Sequence, residues 1–393
     1  LMTGGYFEPI LPMIPDSDKI GQILKLSDYL RERFGVNPIG MWVAERVWEP
    51  HLAKAVNEAG VKYICLDDSH FRMAGLQSSQ LYGHYMTEEN GCRLAVFPID
   101  MQMRYMVPFM VPEKTLDYLQ SIATPYRERV VVLADDGEKF GVWPGTSKSV
   151  YGERWLERFF EMLQANSDWV EMVLFREYLE NHPPLGSVYL PTASYTEMME
   201  WALPAKETAR IEDIQEEIKT TGREDLERFI KGGFWRNFFV KYPESNNMHK
   251  KMLHVHAKID ALSGQERSEP LNKLWAGQCN CSYWHGVFGG LYLNHIRTAV
   301  YSNLIEAENL ANKAIHGQKD FLDARVEDFY CDGTQSLMCS NRDMNALFHL
   351  SRGAALFEWD IRGKCFNVLN TLSRREEAYH RKVLKLASIQ KQT

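Results

Sequence analysis

Short apolar runs that each stop at polar, mostly acidic residues constrain this chain more than any other feature. Ile39 to Val43, Val61 to Leu66, Leu94 to Ile99 and Val130 to Leu133 are compact and mostly apolar, and polar residues follow each of them. Such runs read as buried strands. Between the first two, Glu49 to Gly60 places Leu52, Ala55, Val56 and Ala59 on one side of a helix. Strands alternating with helices predict a parallel β/α architecture. In barrels of that kind the reactive groups sit in loops after the carboxyl ends of strands. Ala44-Glu45-Arg46, Asp67-Asp68-Ser69-His70 and Asp135-Asp136-Gly137-Glu138 occupy those positions, so three polar loops are expected on one face.

Past Pro144 the pattern changes. Trp155 to Ala165 and Phe175 to Asn181 read as amphipathic helices, and Ser187 to Leu190 as one more strand. Ala205 to Arg228 is rich in Glu, Lys and Arg, with little apolar face, and reads as a solvated helical excursion. Phe234 to Leu262, interrupted at Pro243, and Gly289 to Lys313 are expected to be helical. From Phe329 onward Gly, Asn, Asp and Ser punctuate short apolar runs such as Ala346 to Leu350 and Ala354 to Trp359, a β-rich pattern. The expected division is a β/α core over 1–205, a helical region over 206–328 and the start of a β-rich domain over 329–393.

At 393 residues the chain exceeds what one hydrophobic core usually serves. A formal charge of −7, with no run of basic residues, argues against nucleic acid or an anionic membrane as partner and favours a neutral substrate. No stretch approaches the roughly 20 apolar residues that span a bilayer. Leu1 to Gly5 lacks the features of a signal peptide, so the cytoplasm is the expected location. A chain opening on Leu1-Met2-Thr3-Gly4-Gly5 also reads as a fragment. The seven Cys, of which only Cys279 and Cys281 are closely spaced, support reduced thiols over a disulfide framework.

Two segments carry the chemistry. Met41 to Pro50 sets Glu45 between a strand and a helix start, flanked by Trp42, Trp48 and Arg46. A neighbouring Arg keeps a carboxylate ionised, as a glycosyl nucleophile requires, and Trp stacks on sugar rings. A structural Glu45–Arg46 ion pair at the rim is the other reading. Asp135 to Pro144 crowds Asp135, Asp136 and Glu138 beside Lys139. Carboxyl groups so close resist joint ionisation, which leaves one able to donate a proton to a departing oxygen. A divalent-cation loop and a helix cap are the alternatives, although calcium-loop spacing is absent. A third loop, Gln278 to Gly290, mixes amide, aromatic and imidazole groups with small residues, as a sugar groove would. Its Cys279, Cys281 and His285, or His254 and His256, form no four-ligand set with zinc-like spacing, so no metal and no cofactor is expected.

These three segments, together with Gly4-Gly5-Tyr6-Phe7-Glu8-Pro9-Ile10-Leu11, resemble the signature regions of glycoside hydrolase family 57, in the family's order and over nearly the whole chain. The resemblance implies an incomplete (β/α)7 barrel with an attached helical region and the beginning of a C-terminal β-rich domain. It implies a retaining 4-α-glucanotransferase acting on α-1,4-glucan or maltooligosaccharide; an α-amylase-type hydrolase or a non-catalytic glucan-binding relative is the alternative, and a homodimer is compatible with it. By motif position the nucleophile falls on Glu45 and the acid/base on Asp136, with sugar-binding positions at Glu8, Trp42, His70, Glu138, Trp143 and Trp284. Thr371 to His380 resembles the family's lead-in to a C-terminal β-sandwich, most of which is missing here. The family's opening strand, with its His-x-Gln-Pro type motif, does not precede Leu1. Cys281 stands where the glucanotransferases carry Asp, so one sugar contact is expected to differ.

Overall fold

The computed structural model describes residues 1–390. The chain divides into two compact units, one of Leu1–Gly4 and Leu26–Tyr195, the other of Gly5–Lys25 and the described residues from Thr196 onward.

The first unit is built on a mixed sheet of β1 (Gly40–Met41), β2 (Tyr63–Asp67), β3 (Tyr85–Glu89) and β4 (Cys92–Ile99), in the order β1-β2-β4-β3. The first, second and fourth run parallel, in register Met41 to Ile64 and Asp67 to Ile99, and β3 returns antiparallel to β4. The expected strands at Val130 to Leu133 and Ser187 to Leu190 shrink to single parallel bridges, Val132 to Ile99 and Ser187 to Met86; Thr3 adds another beside Met41. The β3–β4 hairpin was not expected. Its turn is Asn90-Gly91, both at positive φ (52° and 79°), the pair that two-residue hairpin turns select.

All five residues of β2 are buried, as a strand covered on both faces must be. Tyr63, Cys65, Phe97, Ile99, Val132 and Tyr178 form its core, with Phe97 edge-on to Tyr63 at 5.6 Å. Burial pushes the Cys65 thiol up to about 12, so it packs as a neutral side chain. The helix Trp155–Ala165 has the expected bounds because Trp155, Phe159 and Leu163, four apart, all face inward.

In the second unit Pro243 separates Asn237–Lys241 from Pro243–Asp260, standing at the first helical position, where its missing N–H costs nothing. Ser268–Ala276 and Asn294–His316 pack with the longer helix. An antiparallel sheet follows: β5 (Leu322–Glu327), β6 (Ser336–Asn341), β7 (Met344–His349), β8 (Ala355–Ile361) and β9 (Phe366–Asn367), each paired with the next. Helices and sheet share one unit because buried charge joins them. Lys251 binds Glu358 at 2.8 Å and Asp360 at 2.5 Å, and Arg362 reaches back to Glu308 at 3.0 Å. Buried ions of this kind persist only when paired, so breaking one pair strands the others. A helix over Ala378–Gln390 ends the described chain. Among the described residues no helix is long and apolar enough to cross a membrane, and no disulfide links any of the cysteines.

Candidate active site

Glu45 stands just past the carboxyl end of β1, on a turn no sequence pattern announces. Glu45 and Arg46 are consecutive non-glycine residues in the left-handed region, at φ 55° and 49°. Each costs on the order of 1 to 2 kcal/mol, so the surroundings must hold them there. Part of that hold is His70. Its Nε2 lies 3.0 Å from the Arg46 carbonyl oxygen and its Nδ1 3.2 Å from that of Asp67. Burial holds the imidazole below its ordinary pKa, so the ring is neutral and carries one proton. The single ring N–H donates to one of these two carbonyls. His70 is 0% exposed and lies against the turn.

The Arg46 side chain is buried too. Its guanidinium lies 4.6 Å from the Tyr195 ring centroid and 5.6 Å from that of half-buried Trp42. Two aromatic faces on one weakly hydrated cation replace part of its lost water.

Asp136 occupies a different kind of loop. It is exposed, as are Gly137 and Glu138, whereas Asp135 and Lys139 turn inward with side chains 4% and 6% exposed. Asp135 Oδ1 accepts the backbone N–H of Asp136 at 2.9 Å, and its Oδ2 pairs with Lys139. The Glu138 carbonyl accepts from the Val142 and Trp143 amides at 2.9 and 3.0 Å, folding the chain so that Trp143 stacks on Phe109 (centroids 6.0 Å apart, planes at 28°). The Lys139 ammonium lies 5.5 and 5.6 Å from those two ring centroids.

Alternating charge joins the two loops. Arg46 Nε meets Asp67 Oδ1 at 3.4 Å; Asp67 Oδ2 meets Arg104 Nη1 at 3.5 Å; Arg104 Nη2 donates to Asp135 Oδ1 at 3.1 Å; and Asp135 pairs with Lys139. Four of these five groups lie in the polar segments that end the apolar runs; Arg104 does not, and with Asp67 it carries the link. Arg104 could have been found only through its place just after a strand end, because a lone Arg in a short helical turn has no motif. Beside Asp67, burial pushes the Asp68 carboxyl up to about 6, against the opposing pull of Arg72.

The remaining two expected residues belong to the second unit. Glu8 is exposed and held at φ 52° by Asn280, whose side-chain amide donates to the Glu8 carbonyl at 2.8 Å and whose Oδ1 accepts the Trp284 indole N–H at 3.1 Å. One buried amide thus fixes both. Trp284 is 7% exposed, stacked on Trp201 with centroids 6.4 Å apart. Cys281 is exposed beside it in the chain. Behind the loop, Tyr242 shares its hydroxyl with His285 Nε2 at 2.7 Å and with the Glu377 carboxylate, which also accepts from Tyr292 and pairs with Lys241 at 3.0 Å.

Two carboxylate loops, one past the end of β1 and one past the Val132 bridge to β4, are tied through shared counter-charges; glycoside-cleaving enzymes use a pair of carboxyl groups. The chain belongs to glycosyl hydrolase family 57. That family's model matches residues 1–191, a model of the alpha-amylase/4-alpha-glucanotransferase middle domain matches 233–311, and one of the C-terminal domain of the same proteins matches 328–393. It is 46% identical over 97% of its length to alpha-amylase 1 of Dictyoglomus thermophilum, covering 55% of that protein. It is 42% identical to a 4-alpha-glucanotransferase of Thermococcus kodakarensis, over 97% of the chain and 56% of the relative. Among solved structures, the 4-alpha-glucanotransferase of Thermococcus litoralis superposes with a TM-score of 0.90 at 40% identity, covering 97% of this chain and 57% of that one. The chain therefore spans a little over half the length of these relatives.

Proposed function

We propose that this chain carries the catalytic machinery of a retaining 4-α-glucanotransferase. Asp136 protonates the departing α-1,4 oxygen while Glu45 attacks the anomeric carbon; the glycosidic C–O bond breaks as the Glu45–carbon bond forms. Asp136, now a carboxylate, takes the proton of an acceptor 4-hydroxyl, whose oxygen attacks the same carbon and frees Glu45. Trp42, Trp143, Glu138, Glu8 and Trp284 act as sugar contacts, with His70 acting through the Arg46 carbonyl. The first-unit sheet, with its bridges at Thr3, Val132 and Ser187, is read as part of a (β/α)7 barrel, and the unlinked cysteines fit a reducing compartment such as the cytoplasm.

The observation that carries the reading is the Arg46–Asp67–Arg104–Asp135 chain of charge, which ties the Glu45 turn to the Asp136 loop. A merely structural pair at the rim would not need to reach both. The α-amylase names among the relatives favour a second reading in which water is the acceptor. Incubating the full-length protein with maltotriose separates them. Glucose plus longer oligosaccharides means transfer, shortening alone means hydrolysis, and an unchanged substrate rules out both.

A further inference from the structure

We infer that Arg104 is a positioning residue for the acid/base carboxyl, acting through Asp135; this rests on the assignment of Asp136 above. Asp136 is exposed, with its carbonyl accepting from Lys139 N at 3.3 Å, and a general acid must keep its proton within hydrogen-bond reach of the leaving oxygen. A displacement of about 1 Å at such a group costs on the order of 100-fold in rate. The Asp136 N–H donates to Asp135 Oδ1 at 2.9 Å, and the same oxygen takes Arg104 Nη2 at 3.1 Å.

Arg104 is itself anchored. It lies in the helical turn Met101–Met106, whose first turn is capped by Asp100 Oδ1 accepting from Met103 N at 2.8 Å, while Asp100 Oδ2 accepts from the Tyr118 hydroxyl at 2.6 Å. The Arg104 carbonyl accepts from Lys139 Nζ at 3.0 Å, so backbone and side chain both grip the acid/base loop. The other arm of the guanidinium points to Asp67, the counter-charge of Arg46. A planar fork that divides its two nitrogens between carboxylates of different segments does what a point charge on a flexible stem does not. Lys139 neutralises Asp135 in any case, so the second cation there serves placement.

The test compares kcat/KM of the full-length protein on two aryl α-maltotriosides, one with 2,4-dinitrophenol as leaving group, which departs without a proton, and one with phenol, which needs it. Arg104→Met is expected to lose about 10- to 100-fold on the phenyl substrate and less than about threefold on the dinitrophenyl substrate. Arg104→Lys, which keeps the charge and protects against a folding failure, is expected to show the same bias more weakly. Asp136→Ala sets the scale with a steeper dependence. If both Arg104 variants lose equally on the two substrates, or lose nothing, while Asp136→Ala remains steep, Arg104 is structural and the inference is overturned with the acid/base assignment intact. A flat Asp136→Ala would remove the assignment itself.

Discussion

The two carboxylates proposed for catalysis sit on loops built by opposite means. Glu45 is half-buried on a strained turn, fixed from below by His70 and from the side by Arg46 between Trp42 and Tyr195. Asp136 is exposed on a loop with ordinary backbone (φ −70°, ψ 131°), restrained by its N–H on Asp135 and its carbonyl on Lys139 N. A nucleophile that forms a bond to carbon tolerates little displacement, which suits a turn held in one conformation. A group that gives a proton and later takes one needs access to two oxygens in succession, which suits an open loop held by side chains. The contrast is compatible with the roles proposed above for Glu45 and Asp136.

The sharpest way to break that contrast is to exchange the restrained and the open carboxylate for Ala and supply azide. Glu45→Ala is expected to lose more than about 10⁴-fold of its activity and, with an activated α-maltotriosyl substrate, to release the β-azide, because azide attacks from the face Glu45 occupied. Asp136→Ala is expected to lose about 10² to 10⁴-fold on unactivated glucan and to give the α-azide by way of the intact glycosyl-enzyme. Product stereochemistry by NMR decides the matter: α-azide from the Glu45 variant would exchange the two roles.

A smaller effect isolates the brace under the strained turn. His70→Phe keeps the ring's bulk and removes the ring N–H that serves one of the Arg46 and Asp67 carbonyls. The buried carbonyl then lacks its partner, at a cost of roughly 1 to 3 kcal/mol. If that bond holds Glu45 in place, kcat falls about 10- to 100-fold with KM nearly unchanged, because sugar contacts elsewhere persist. Steady-state kinetics with a parallel denaturation curve check this. Lost stability with unchanged kcat would mean that the turn holds its shape without His70, and the contrast between the loops would weaken.

How much of this was readable in advance follows from the range of the forces involved. Strand ends and the carboxylates behind them were legible, because burial imposes local apolar runs and chemistry imposes residue types. Helix Trp155–Ala165 was legible to the residue, since a four-residue apolar spacing is a local property. The Asn90-Gly91 hairpin was also written locally, in a turn pair whose meaning was passed over. Four other features were not legible. The left-handed Glu45-Arg46 turn is enforced from a distance of 24 residues by His70, the Asp67–Arg104–Asp135 chain spans three strand ends, Asn280 reaches Glu8 across 272 positions, and Lys251 joins helix to sheet across more than 100. Each is a contact between residues whose neighbours in sequence give no sign of it.

The smallest expected effect concerns the third carboxyl, Asp68, next to the Asp67 that both arginines share. Its folded pKa of about 6 exceeds the ordinary 3.8 because burial disfavours its charge. Above about pH 6 the folded protein therefore carries an ionised carboxylate at a cost, and as pH falls through 6 toward 4 the folded state takes up the proton before the unfolded chain does. Stability attributable to this group rises over that window, opposite in sign to an ion-paired carboxylate. Asp68→Asn removes the penalty with little change in shape, so it is expected to raise the unfolding free energy at about pH 8 by roughly 1 to 3 kcal/mol, with the gain shrinking toward zero near pH 4. Denaturation at both pH values reads it directly. An equal gain at both would mean the effect is packing, and Asp68 would drop out of the electrostatics that distinguish the tight loop from the open one.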